Sequence, residues 1–171
     1  MLRPTQLTRD SDPVLIEIMR NLFAAGTSGY SREVFIPTAP EQQEWWKTLP
    51  HDKVKAFLWR DDERPWEIVA YSLITDCGTF ASPVFAVAPM FQGRGYGDQI
   101  IKHYIATAGK PLRGQQLVSN GAIRKLNARN GWVVVRKSTA LWTNPDIEYL
   151  EHPGPTTTFP DYDAILKGLD G

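Results

Sequence analysis

The chain has 171 residues, enough for one ordinary domain with a real core and too few for two of typical size. Lys plus Arg and Asp plus Glu stand at 19 each and cancel, so the composition carries no general attraction to nucleic acid or membrane. A single cysteine, Cys77, excludes an internal disulfide, and no apolar run has signal-peptide or membrane-spanning length; the expectation is a soluble cytoplasmic domain.

An extended start over residues 2–8 gives way to Asp10-Ser11-Asp12-Pro13, a helix-start signal with proline set for the first turn. Val14, Ile16, Ile18, Met19, Leu22 and Phe23 then form an apolar helical face that ends near Gly26. The loop over 27–40 is polar and glycine-bearing except for Val34, Phe35 and Ile36, and residues 40–49 read as a second short helix stopped by Pro50. Residues 54–60 alternate as a strand, 61–65 form a turn cluster, and 66–74 make a long second hairpin strand.

Next comes the strand Val84-Phe85-Ala86-Val87, then Ala88-Pro89-Met90-Phe91-Gln92-Gly93-Arg94-Gly95-Tyr96-Gly97. Tyr96, Ile100, Ile101, Tyr104, Ile105 and Ala108 recur at helical spacing and place a helix directly after the glycines. Residues 115–119 read as a strand, and 122–129 as a short helix closed by Asn130-Gly131. Residues 132–136 and 140–150 read as two last strands. Residues 1–151 are expected to form the domain, and 152–171 a Pro/Thr-rich tail with a helical turn near its end.

Glycine at alternate positions keeps side chains off the turn, so backbone N–H groups can approach a ligand directly. Those groups belong to the first turn of a helix, where they have no internal partner and the macrodipole is positive; this is an anion site suited to a diphosphate. A P-loop would need Gly-Lys-Ser/Thr, which is absent. A dinucleotide fingerprint needs G-x-G-x-x-G with an acidic residue about twenty positions on. Here the spacing is G-x-G-x-G, and Leu117, Val118 and Ser119 stand where the acid is expected.

The third reading fits. Gln92-Gly93-Arg94-Gly95-Tyr96-Gly97 resembles the Q/R-x-x-G-x-G/A pyrophosphate loop of the GNAT superfamily of acetyl-CoA-dependent acyltransferases. Downstream, residues 120–132 are similar to the family's N-x-x-A-x-x-L-Y-x-x-x-G-F segment, with Asn120, Leu126, Gly131 and Trp132 in register. Ala122 falls one position early, and Asn127 replaces the tyrosine. The order β-α-α-β-β-β-α-β-α-β-β matches the family's as well, over residues 2 to 150.

The resemblance implies an α+β, three-layer fold. Its mixed, mostly antiparallel sheet has about seven strands, with helices on both faces and a splayed strand pair holding the CoA arm. It implies acetyl-CoA as co-substrate, no metal, a small-molecule amine as acceptor, no membrane or nucleic-acid partner, and compatibility with a homodimer; the alternatives are a protein amine or modified nucleobase as acceptor, or a catalytically weak CoA-binding module. The main chains of Phe85, Ala86 and Val87 would receive the pantetheine, with the Val87 N–H polarising the thioester carbonyl. Gln92, Gly93, Arg94, Gly95, Tyr96 and Gly97 would hold the diphosphate, with Asn120 and Asn127 also at the cofactor. Arg124, Lys125 and Arg129 are candidates for the 3′-phosphate.

The family's usual general acid is the motif tyrosine, and Asn127 cannot give up a proton at physiological pH, although its amide can donate to sulfur or hold a water. Asn127 and Ser119 are the candidate catalytic residues, and no base stands out. Glu67 and Asp76 suit surface or turn roles, His103 a partly exposed structural role, and Cys77 a small buried one. Trp45, Trp46 and Phe35 are the candidate acceptor residues. Adjacent tryptophans diverge by about 100° on a helix, so only one can enter the core along a given face. Residues 41–46 are similar to segments of GNAT members that acetylate amino sugars.

Overall fold

The computed structural model describes residues 1–27, 37–137 and 147–154. Its strands are β1 (Leu2–Leu7), β2 (Val54–Asp61), β3 (Arg64–Asp76), β4 (Ala81–Val87), β5 (Leu112–Leu117), β6 (Val133–Lys137) and β7 (Ile147–His152). They form one 7-stranded sheet in the order β1-β2-β3-β4-β5-β7-β6. Every neighbouring pair is antiparallel except β4 and β5, which are parallel. The helices are α1 (Pro13–Thr27), α2 (Ala39–Thr48), α3 (Tyr96–Thr107) and α4 (Gly121–Arg129). The expected element order and α+β class hold. Phe35, residues 140–146 of the strand expected over 140–150, and the tail from 155 lie outside the described residues, and no described helix is long and apolar enough to cross a membrane.

Boundaries shift where charge hides a strand. Asp61 pairs with Arg64, so residues expected to form a turn belong largely to β2 and β3. Strand β5 begins at Leu112 rather than 115. Arg113 disguises that start, yet it is buried because its Nε meets Glu151 of β7 at 3.0 Å, directly across the ladder. A buried charge is tolerated when it is paired.

Helix α2 begins where Thr38 and Glu41 form a reciprocal cap. Thr38 Oγ1 accepts from the Glu41 N–H at 3.4 Å, and Glu41 Oε2 accepts from the Thr38 N–H at 2.7 Å. Adjacent residues of β3 show that helices cover both faces of the sheet, since neighbouring side chains on a strand point to opposite sides. Tyr71 meets Phe23 of α1 edge-on at 6.2 Å, while Ser72 bonds Tyr104 of α3. Residues 2–7 and 54–76 thus build a platform between α1 and α3, with Leu58, Trp59, Val69 and Ile100 at its fully buried centre.

Ser72 holds a polar knot inside that core. Its Oγ accepts from Trp59 Nε1 at 2.7 Å and from the Tyr104 hydroxyl, and all three side chains are fully buried or nearly so. Removing the shared acceptor strands two donors away from water, each costing about 1–3 kcal/mol. Ser72→Ala is therefore expected to lower unfolding stability by about 2–4 kcal/mol in urea denaturation. A change below about 0.5 kcal/mol would show that the two donors find other partners.

Candidate active site

The site begins with a failure of pairing. Along β4 and β5 the ladder contains one pair, Ala81 with Leu112. Ala81 N–H reaches Pro111 O at 2.9 Å, so by strand alternation the backbone groups of residues 83, 85 and 87 also point toward β5. The next donor on that side would be Pro83, which has no N–H. The parallel ladder stops there and the strands diverge.

The Ala88 N–H bonds Val69 O at 2.9 Å, which places Ala86 in the same hydrogen-bonded parity, engaged with Tyr71 of β3. Phe85 and Val87 instead turn their main chains into the gap. Gln92 Nε2 donates to Val87 O at 3.1 Å, leaving the Val87 N–H pointing into the opening. Of the three residues expected to receive the pantetheine, Phe85 and Val87 turn main-chain groups toward the gap, while the main chain of Ala86 belongs to the sheet. Between the strands lies a cavity of about 540 Å³ bordered by Pro83, Phe85, Tyr104, Asn127 and Trp132.

A second cavity, of about 460 Å³, shares Phe85 and Ile123 with the first and is walled by the glycine loop and α4. After a 3-10 turn at Pro89–Phe91 the chain enters α3 through Gly95, its N-cap, at φ 79. L side chains resist that conformation, whereas glycine takes it without strain. Gly97 answers a different need. A Cβ there would lie 3.0 Å from Leu126 of α4 and 3.3 Å from the Phe85 ring, so its absence lets three elements close around the loop.

Helix α4 is capped by Asn120 Oδ1, which accepts from the Ile123 N–H at 3.1 Å, and α2 is capped by Thr38. No side chain among the described residues caps α3. Among the described residues, no acceptor takes the N–H groups of Gly93, Arg94, Gly95, Tyr96, Gly97 or Asp98. Open donors on a positive helix end, facing a cavity, fit a diphosphate.

Side chains around this row divide their labour. Tyr96 turns inward, its hydroxyl donating to Asp61 Oδ2, which also holds the Asp61 carboxyl below its ordinary range; only the Tyr96 backbone faces the cavity row. Arg94 lies over the Phe91 ring at 5.4 Å and does not border the cavity. Asp98 does border it, and its charge is absorbed by Lys102 at 2.7 Å and by Arg129 and Asn130 at 2.9 Å each; with Lys102 the largest cause, these contacts hold its carboxyl at about 2. Of the three cations expected near a 3′-phosphate, Arg124 is committed to Glu148 and Arg129 to Asp98. Lys125 is exposed on the cavity wall and forms no ion pair among the described residues.

The remaining sequence candidates scatter. Asn127 is buried on the wall of the larger cavity, whereas Ser119 sits exposed in the turn before α4 and borders neither cavity. Trp46 fills the core, with Nε1 donating to Thr8 O at 3.1 Å, so it is a packing residue; Trp45 is left 40% exposed, as divergence on a helix requires. Cys77 is exposed at the rim of the larger cavity rather than buried. Glu67 pairs with Arg64 and Asp76 with Lys110, and neither carboxylate borders either of these two cavities. His103 packs among Phe57, Trp59 and Tyr104, and burial pushes its pKa down. The structure adds Pro83, whose signal was a proline in a strand. It also adds Gln116 and Glu148, which no local pattern marks.

No family model matches the chain, and no curated protein matches it. Solved structures do. Spermidine N-acetyltransferase from Vibrio cholerae, in complex with CoA and spermine, superposes with a TM-score of 0.73 at 16% identity, covering 88% of this chain and 94% of that one. The same enzyme in a dodecameric form gives 0.68 at 16% identity, covering 88% and 92%. The Salmonella typhimurium protein yncA, with its cofactor acetyl-CoA, gives 0.68 at 14% identity, covering 93% and 98%. Likeness at such identities shows the fold alone, and the fold is shared with these acetyltransferase structures.

Proposed function

We propose that the protein is an acetyl-CoA-dependent N-acetyltransferase whose acceptor is the primary amine of a small molecule. The observation that carries this reading is the row of unpaired N–H groups at the uncapped start of α3. It opens onto a cavity that continues into the β4–β5 gap. Similar structures contain CoA or acetyl-CoA, and one holds spermine, which supports an amine acceptor. The dodecameric neighbour makes self-association part of the proposal.

Acetyl-CoA, as co-substrate, would supply the acyl group as a thioester: the neutral amine adds to the carbonyl, forming the C–N bond and a tetrahedral intermediate, which collapses with loss of the C–S bond while the amine's proton passes to solvent. Backbone N–H groups from Gly93 to Asp98 hold the diphosphate, and Lys125 meets the 3′-phosphate. Val87 N–H, fixed in a rigid strand, donates to the carbonyl oxygen where negative charge develops. Asn127 carries no titrating proton, so the departing thiolate takes its proton from solvent; a thiol with a pKa of about 8.5 leaves without a dedicated acid, at a slower rate. Trp45, exposed on α2, is the candidate contact for the acceptor, where a flat indole suits an amino sugar or an alkyl amine.

Release of free thiol from acetyl-CoA in the presence of a panel of amines is expected for at least one acceptor. CoA binding by calorimetry with no turnover on any amine would instead leave a CoA-binding module. Gly95→Glu is expected to abolish CoA binding with the fold retained by circular dichroism, whereas Gly95→Asn, which tolerates positive φ, weakens it less. Unchanged affinity in the Glu variant would remove the loop from the site. Lys125→Ala should weaken CoA about fivefold and 3′-dephospho-CoA hardly at all, on the scale of an exposed ion pair. Equal loss for both ligands would place Lys125 away from the 3′-phosphate.

A further inference from the structure

Asn127 stands at the end of a buried chain of hydrogen bonds. Its Nδ2 donates to Gln116 Oε1 at 2.8 Å, and Gln116 Nε2 donates to Glu148 Oε2 at 2.7 Å. Glu148 is 1% exposed and also accepts from Arg124, Nε at 3.0 Å and Nη2 at 3.2 Å. Gln116 and Glu148 face each other in the β5–β7 register, and Arg124 and Asn127 share a side of α4.

The direction of this chain follows from charge. A carboxylate has acceptors only, and a guanidinium donors only. Gln116 must therefore turn its nitrogen to Glu148, which turns its oxygen to Asn127, which in turn must present its nitrogen to Gln116. Asn127 borders the larger cavity and Gln116 does not. The polar atoms that Asn127 can offer there are Oδ1, which has no partner among the described residues, and its second N–H.

We propose that Arg124, Glu148 and Gln116 are positioning residues that lock the Asn127 amide, so that it presents one acceptor and one donor to the acyl-bearing arm in the β4–β5 gap. The amide N–H and C=O groups of such an arm, and its thioester, are the complementary chemistry. Asn127 is then an orienting contact and not a proton donor. The contact to the arm rests on the acetyltransferase reading above; the polarity of the relay does not.

Inverting the relay tests both parts. Asn127→Asp sets a carboxylate against Gln116 Oε1, and any rotation of Gln116 moves the clash to Glu148; the melting temperature should fall by about 5 °C or more. Glu148→Gln keeps an acceptor for Gln116 and Arg124, and should cost less. When the two substitutions are combined, Gln116 reverses, giving its nitrogen to the carboxylate introduced on α4 and accepting from the amide introduced on β7. Most of the temperature lost in Asn127→Asp should return. Acetyl-CoA affinity, measured by calorimetry, should stay at least tenfold weak in both proteins that carry Asn127→Asp, because neither offers a donor at that position.

Gln116→Met, which does not touch the cavity and keeps apolar volume, should fold and lose affinity about threefold to tenfold through the unpinned amide. Absence of thermal rescue in the double variant overturns the polarity. Return of affinity together with stability reduces the relay to a structural role. If the wild-type protein binds no CoA, the acetyltransferase reading fails while the thermal cycle still decides the relay.

Discussion

Strand β4 pairs with β5 at Ala81 and at no later residue, and the next position that should donate across the gap is Pro83. A proline in a central strand removes a ladder bond and is tolerated where that side of the strand has no partner. Here that side is the interior of the sheet. The cost of a broken ladder lies between two strands that are otherwise held firmly, β4 by β3 over Ala70 to Asp76 and β5 by β7 over its whole length. Rigid outer pairings keep the opening from closing, and the unpaired groups of Phe85 and Val87 face into it. Unsatisfied backbone groups in a protein interior call for a polar partner, and an extended amide-bearing arm is one that matches a strand edge.

A second set of constraints keeps negative charge welcome beside that opening. Helix α3 lacks the side-chain cap that α2 and α4 possess, so its first N–H groups remain available. Asp98 stands in its first turn, where a carboxylate ordinarily favours the helix but would oppose a phosphate. Lys102, Arg129 and Asn130 absorb its charge. Arg124, one turn away on α4, is turned aside by Glu148. The basic residues near the loop thus mostly hold the scaffold, and Lys125 alone among the three α4 cations stays unpaired within the described structure. Tyr96 and Gly97 lock the loop to β2, β4 and α4, so the donors are held in place before any ligand arrives.

Features set by backbone geometry were legible in the chain. Glycine spacing revealed the loop because positive φ and close approach at Gly95 and Gly97 are local demands that few other residues meet. The Asn130-Gly131 stop was legible for the same reason, with Gly131 at φ 79, and the helix after the loop was legible from its apolar spacing. The side-chain assignments fared differently. Tyr96, Asn120 and Gln92 lie in the expected motif, yet their side chains respectively brace Asp61, cap α4 and tether Val87 O. Which α4 cation is spared depends on Glu148, a residue fixed by strand register across 24 positions from Arg124 and 32 from Gln116. Register of that range leaves no local pattern. Pro83 was visible throughout, but its meaning depends on which neighbour its missing N–H faces.

The central claim is that backbone donors in the β4–β5 gap and at the start of α3 receive one ligand. A titration of isotope-labelled protein with CoA, read from backbone amide resonances, tests it most directly. The amides of Phe85, Val87 and Gly93 through Asp98 should shift together and saturate at one ligand equivalent, while Ala86, bonded within the sheet, moves far less. Saturable shifts confined to other parts of the surface, or equal shifts at 85, 86 and 87, would contradict the account.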